Sequence, residues 1–258
     1  GKENGNWINY MEDGIIKSKG KYKDGFLHGQ WITNYFSGAI LSQGSYEKSE
    51  KIGTWNYFYI EGNKEIEEEW ARGKLKRKLY FGRKGKKKEE RNYSDDFKIR
   101  DRAYYNFKLY WENEKLKETG SRYVDNDKLS TFEPRAEYFK NGKKKVEIKP
   151  YGANMEKKRW DEEGILLQKY QLTSVGTLDG ICLDYFSSGR VSRRTVYDMG
   201  FKNDIETHYY DEGLMKPNIS YQWLKGRKEG MEIKYYPNGQ IKYKIQYKDD
   251  IRDGIEEY

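Results

Sequence analysis

The chain has 258 residues, of which 36% are charged, 35% hydrophobic and 16% aromatic, with 25 Tyr, 7 Trp and a formal net charge of +8. So polar a composition leaves little for a thick core, yet so many rings exclude a disordered chain, which lacks the side chains that repay ordering entropy. No run of 18 apolar residues offers a membrane-spanning helix, and with Cys182 as the only cysteine no intrachain disulfide is available.

In chain order, the sequence repeats itself. Gly5, Gly29 and Gly53 open three units at a spacing of 24, with second glycines at Gly14, Gly38 and Gly62 and aromatics at Tyr22, Tyr46 and Trp70. Unit four starts near Lys76, keeps Gly85 and Tyr93, and has lost its opening glycine. Unit five spans about Tyr105 to Tyr123, after an insertion in Ser94 to Arg102, and has Glu114 in place of its second glycine. A second insertion, Val124 to Thr131, precedes unit six, which starts near Glu133 with its turn at Gly142 and Tyr151 near its end; unit seven runs from about Met155 through Trp160 and Gly164. Strict spacing returns at Gly180, Asp204 and Gly230, with second glycines Gly189, Gly213 and Gly239 and tyrosines Tyr197, Tyr221 and Tyr247; Gly254 falls 24 after Gly230. The chain is therefore expected to be a single array over residues 1–258, regular at 5–75 and 180–258 and irregular at 94–135.

Each unit reads as a β-hairpin. A β-favouring run such as Trp55-Asn-Tyr-Phe-Tyr-Ile60 reaches a Gly-containing turn (Ser37-Gly38, Asn141-Gly142, Pro237-Asn238-Gly239). Asn and Gly are expected there to supply the positive φ of a tight turn. A second run then alternates: Ile241, Tyr243, Ile245 and Tyr247 against Lys242, Lys244, Gln246 and Lys248. The recurring glycines are expected at turns, with Tyr-x-x-Gly-x-x-x-Gly as the return to the next hairpin. A lone hairpin is marginal, so the units must stack. The expected fold is all-β: an elongated, twisted antiparallel sheet of about ten hairpins, roughly 95 Å long at about 4.8 Å per strand.

The phrases Gly-x-Trp-x-x-Tyr-Phe-x-x-Gly and Tyr-x-x-Gly-x-x-x-Gly resemble the MORN repeat. The 24-residue period with Tyr235-Tyr-Pro-Asn-Gly239 is similar to its bacterial variant, the YwqK-like antitoxin type. The resemblance runs over roughly 5–258 and is weak at 94–135. It implies a hairpin solenoid that binds proteins or membrane surfaces, with no reaction and no cofactor. The choline-binding type of cell-wall repeat shares the Gly-Trp hairpins but has units near 20 residues, usually with a Trp at the start of each. Here Trp7, Trp31 and Trp55 hold that place only in the first three units, and Cys182, Glu206 and Glu232 hold it in the last three.

No catalytic, cofactor or metal residues are assigned. His28 and His208 occupy unequal repeat positions and read as surface residues, and Cys182 as a half-buried strand residue. Glu65, Glu67, Glu68 and Glu69 read as a cross-strand charge match to unit four.

Two departures from the repeat are the candidates for function. From Arg72 to Arg91 eleven basic residues face two acids, leaving the rest of the chain near neutral; Lys74, Arg77, Arg83, Lys84, Lys86 and Lys88 could attract nucleic acid, acidic lipid or an acidic protein, or could serve as a solvated edge. Tyr104, Tyr105, Phe107, Tyr110 and Trp111 lie between the insertions and are either an interface or core filling. The expected function is a scaffold for a protein partner; the alternatives are an anionic membrane or nucleic acid at the basic unit, and cell-wall glycan at exposed rings. The chain begins without Met inside the repeat-like phrase Lys2 to Gly5. A removed upstream segment is therefore expected, with a lean to an envelope or secreted location and the cytoplasm as alternative.

Overall fold

A computed structural model describes residues 2–99, 102–129, 134–213 and 215–254. The expected start of unit six at Glu133 and the last four residues lie outside the described residues. Among the described residues the chain is all-β and holds no helix long and apolar enough to cross a membrane. It divides into two compact units, residues 1–130 and 131–258.

The first unit has ten strands: β1 (Gly5–Tyr10), β2 (Ile16–Lys23), β3 (Phe26–Asn34), β4 (Ile40–Glu47), β5 (Glu50–Phe58), β6 (Lys64–Ala71), β7 (Lys74–Phe81), β8 (Lys87–Ile99), β9 (Arg102–Tyr110) and β10 (Leu116–Tyr123). Each pairs antiparallel with its predecessor, so the sheet is open and follows hairpin order. The second unit repeats the plan with β11 (Arg135–Tyr138), β12 (Lys144–Tyr151), β13 (Asn154–Trp160), β14 (Leu166–Leu172), β15 (Gly180–Tyr185), β16 (Val191–Asp198), β17 (Phe201–Lys202), β18 (Asp204–Tyr209), β19 (Pro217–Leu224), β20 (Arg227–Lys228), β21 (Gly230–Tyr235), β22 (Ile241–Lys248) and β23 (Ile251–Arg252).

Two kinds of connection alternate. Within a unit of the repeat, the loop closes with Tyr35 N donating to Ala39 O and Gly38 N to Tyr35 O, and only Gly38 takes a positive φ, 82°. That is the pattern of a three-residue loop ending in a left-handed residue. The Pro237-Asn238-Gly239 loop follows the same rule: Gly239 has φ 90° and Asn238 is not left-handed. The expectation that Asn shares the positive φ is corrected here. The paired positive φ values occur instead in the return turns, Asp24–Gly25 (55° and 86°) and Arg72–Gly73 (50° and 71°), which carry the type I′ signature.

The opening glycines are likewise not turn residues. Gly29 and Gly53 lie inside β3 and β5 with φ 73° and 63°, where the register against the preceding strand slips. They are bulge residues: residues 29–31 stand opposite Gly20 alone and 53–55 opposite Gly44 alone.

What fills the core changes along the chain. In the first hairpins Tyr22, Trp31, Tyr46 and Trp55, with the exposed Trp7 at the end of the row, form an edge-to-face series with ring centroids 4.8–6.3 Å apart; each such pair contributes about 0.5–1.5 kcal/mol beyond its burial. Room for the indoles comes from Gly20 and Gly44: a Cβ there would lie 1.8 Å from the Trp31 ring and 2.2 Å from that of Trp55. At β5 and β6 cations enter the series, with Lys51 Nζ 4.8 Å from the Trp55 ring centroid, 4.9 Å from that of Trp70, and 3.3 Å from Glu68.

In the second unit the tryptophan slot holds Cys182, Glu206 and Glu232, all buried. Glu206 takes hydrogen bonds from Lys202 and His208, and Glu232 from Lys228 at 2.8 Å and the Tyr243 hydroxyl at 3.2 Å. Burial pushes the Glu206 carboxyl up, but the bonds from His208 and Lys202 outweigh it and hold it down at about 2. Burial raises the Cys182 thiol to about 11, which makes it an unreactive strand residue.

Candidate partner-binding cleft

The basic tract is mostly neutralised within its own sheet. Register sets Glu68 opposite Lys78 and Glu69 opposite Arg77, and the ion pairs follow at 3.0 Å each. This is the cross-strand match expected of the acidic run. Lys74 and Lys76 share Asp95 at 2.9 and 3.8 Å, Arg77 also reaches Glu90 at 3.4 Å, Arg83 pairs with Glu61, and Arg91 pairs with Glu89 at 2.7 Å. Lys87 lies 3.7 Å from Glu90. Of the eleven cations, Arg72, Lys84, Lys86 and Lys88 have no carboxylate partner among the described residues, and Lys86 donates to the Glu112 carbonyl at 2.8 Å. Three of these four sit at one hairpin end, Lys84 and Lys86 in the loop from β7 to β8 and Lys88 at the start of β8.

That loop opens on a residue without a ring, unlike the loops on either side, which open on Tyr59 and Trp111. Six positions after the opening of a repeat, a ring commonly stands at the start of the loop and ties one hairpin to the next. Tyr35 donates to the Phe58 carbonyl at 2.7 Å, Tyr59 to the Phe81 carbonyl at 2.9 Å, and Tyr210 to the Tyr235 carbonyl at 2.8 Å. Unit four has Gly82 at this place, and three other repeats also lack a ring there, with Met11, Asp161 and Thr173. The Gly82 amide makes the same loop bond, to Lys86 O at 2.8 Å, but no ring projects from it.

Beside Gly82 a cleft of about 690 Å³ lies between the hairpin ends. Tyr59 stands on one side, Leu109, Tyr110 and Trp111 on the other, and Gly82 lies in its lining. Arg83, Lys84, Lys86, Lys87, Lys88 and Lys117 surround it, with Glu112 as the one acid of the lining. The rings carry cations: Arg83 lies 5.0 Å from the Tyr59 centroid, Lys87 5.1 Å from Tyr110, and Lys117 4.9 Å from Trp111. Tyr110 is fixed from below by its hydroxyl, which donates to Glu90 at 3.0 Å. Burial, reinforced by that carboxylate, pushes the phenol up to about 12, so it stays a donor at any physiological pH.

The structure thus brings Arg83, Lys84, Lys86 and Lys88 together with Tyr110 and Trp111. It places the other candidate residues elsewhere. Lys74 and Arg77 lie towards the far end of β7 in the ion pairs described above. Tyr105 and Phe107 are 2% and 1% exposed and fill the core between β8 and β10; Arg91 lies over Tyr105 at 4.8 Å and Arg122 over Phe107 at 4.4 Å. Tyr104 stacks on Phe97 with centroids 5.2 Å apart and planes 9° from parallel. Sequence reasoning passed over Gly82, whose signal was available: aligned at the same repeat position, Tyr35 and Tyr59 are followed by Gly82.

The family model described as MORN repeat variant matches residues 228–249, which cover β21 and β22 and the last residue of β20. This supports the MORN repeat family for the repeat phrase. Comparison with curated proteins gives no match. Among solved structures, a chain in the crystal structure of TcdB2-TccC3-Cdc42 aligns over 94% of this chain and 17% of its own length, with 10% identity and a TM-score of 0.17. A chain of TcdB2-TccC3 without its hypervariable C-terminal region aligns over 95% and 17%, with 11% identity and a TM-score of 0.16. The present chain spans under a fifth of those chains, and likeness at this level says nothing of activity.

Proposed function

We propose that the protein is a non-catalytic repeat scaffold whose hairpin ends hold a protein partner, with the cleft beside Gly82 as the contact site. The observation that carries this reading is that cleft: it lies where unit four has a glycine in place of a ring, and lysines without a carboxylate partner among the described residues gather there. Aromatic anchors in a concave, partly desolvated setting are what protein interfaces use. The match to a MORN repeat variant, a kind of repeat that typically serves as a binding scaffold, agrees with it.

Arg83, Lys84, Lys86, Lys88, Tyr110 and Trp111 form the contact set in this reading, and the strands beneath them act as a rigid support. A photo-reactive residue at position 111, compared with one at position 236 in the corresponding loop of the second unit, tests it in extracts of the native source. A single protein adduct at 111 that is absent at 236 and re-forms with the purified partner is expected. Equal labelling at both positions, or none at either, would refute the assignment.

A further inference from the structure

The cleft has a composition that selects among anionic ligands, and the selection turns on its rings. Groove-bound single-stranded nucleic acid combines backbone contacts to cations with bases stacked on exposed ring faces. Here one face of Tyr59, Tyr110 and Trp111 is occupied by Arg83, Lys87 and Lys117 respectively, at 5.0, 5.1 and 4.9 Å. Stacking there would displace a cation that a phosphate backbone needs. The groove is instead suited to separate negative points above an apolar floor. Leu109 and the ring edges supply the floor, and Lys84 and Lys88, which lack ion pairs, stand with Lys86 at its rim.

We infer that the occupant is an extended acidic segment of a partner protein, one that sets carboxylates against Lys84, Lys86 and Lys88 and lowers an aromatic or aliphatic side chain into the space left open at Gly82. The inference rests on the protein-binding reading and names the chemistry of the partner. Charge complementarity commits it: six cations against one acid line the groove, and although Arg83 and Lys87 are paired with Glu61 and Glu90, Lys84, Lys86 and Lys88 have no carboxylate partner among the described residues. The tie residue explains the shape. In unit three the space beside the loop is taken by Tyr59, which reaches the Phe81 carbonyl at 2.9 Å, so the partner's side chain takes the place of a ring that unit four lacks.

Gly82 also offers a direct test, because it does not use a left-handed φ. A Cβ built on it would meet only the Lys88 Cε within 3 Å, the movable end of a long side chain. Gly82→Tyr therefore restores the repeat pattern without straining the backbone, and it fills the cleft. The full chain is titrated by fluorescence anisotropy with a labelled random Glu/Tyr peptide, in parallel with an oligothymidylate and with phosphatidylserine vesicles. The wild type is expected to bind the peptide, more weakly as salt rises. Gly82→Tyr and the double variant K84E/K88E are each expected to lose roughly tenfold or more in affinity, as reversal of contact charges and blockage of a pocket do. Arg72→Glu, which removes an unpaired cation at the opposite end of the strands, is expected to change it by less than about twofold.

Peptide binding unaltered in Gly82→Tyr would overturn the inference, since the cleft would not be the site. Tighter binding of oligothymidylate or vesicles than of peptide would overturn it in favour of those ligands. No peptide binding by the wild type would also overturn it, while a protein adduct at position 111 would leave the broader reading standing.

Discussion

The slot two residues after the opening of a repeat holds Trp7, Trp31 and Trp55 in the first hairpins and Cys182, Glu206 and Glu232 in the last, yet the strand pairing around it is the same. Trp55 lies opposite Glu68 in its hairpin, Cys182 opposite Thr195, and Glu232 opposite Ile245. The indole needs a neighbouring strand that withdraws its side chain, which Gly20 and Gly44 do. The buried carboxylates need donors, which Lys202, His208, Lys228 and Tyr243 provide. The hairpin is therefore specified by turns and bulges, and the slot accepts any chemistry whose complement stands next to it. A repeat built this way can change one side chain without losing its fold, and Gly82 is such a change.

The largest contrast should come from truncating the slot itself. Trp55 is 3% exposed and its indole nitrogen donates to the Ser45 carbonyl at 3.0 Å; Trp55→Ala is expected to cost about 3–5 kcal/mol in urea unfolding. Cys182→Ala removes one sulfur from the equivalent place and should cost about 1 kcal/mol. Equal losses would mean that the slot is not equivalent in the two regions.

A smaller effect is expected at the withdrawn position. In Gly44→Ala the new Cβ would fall 2.2 Å from the Trp55 ring, within a strand pair on either side, and overpacking of this kind costs about 1–3 kcal/mol. Thr195→Gly, in the region that does without the indole, should cost about 1 kcal/mol through lost packing and added chain freedom. Thermal melts of both variants would sharpen the comparison, and a neutral Gly44→Ala would remove the notch from the account.

The last effect is one of pH. The folded carboxyl of Glu206 lies at about 2, below the value near 4.3 of an unfolded glutamate. A lowered folded value means that the stabilisation is present above the unfolded value and is lost as pH falls through the folded one. Amide protection across residues 204–224 should therefore weaken between about pH 4.5 and 2, while residues 29–47, which bury no carboxylate, should hold theirs. Parallel loss in both segments would contradict the difference assigned to them.

Much of the fold was legible because turn chemistry repeats at fixed spacing: Gly38 and Gly239 mark the loops, and Glu68 and Glu69 announce their pairing with Lys78 and Arg77. The roles of Gly29 and Gly53 were not legible, since a bulge and a turn demand the same positive φ and leave the same letter. The site was half visible. Charge counts located the basic tract, but they could not show which cations would meet Glu61, Asp95 or Glu90 across strands. The aromatic run located Tyr110 and Trp111, but neighbours at alternate positions, Tyr105 and Phe107, turn inward. What defines the cleft is a missing ring, and an absence is seen only when the repeats are aligned position by position.

Hydrogen exchange on Gly82→Tyr tests the central claim most directly, because it asks whether one absent ring makes the cleft. If it does, the tyrosine ties its loop to β9 as Tyr59 ties the preceding one, and the amides of residues 82–88 exchange more slowly with the melting temperature unchanged or raised. Faster exchange there together with a lower melting temperature would show that the space at Gly82 is already filled in the native protein, and the cleft would be lost as a site.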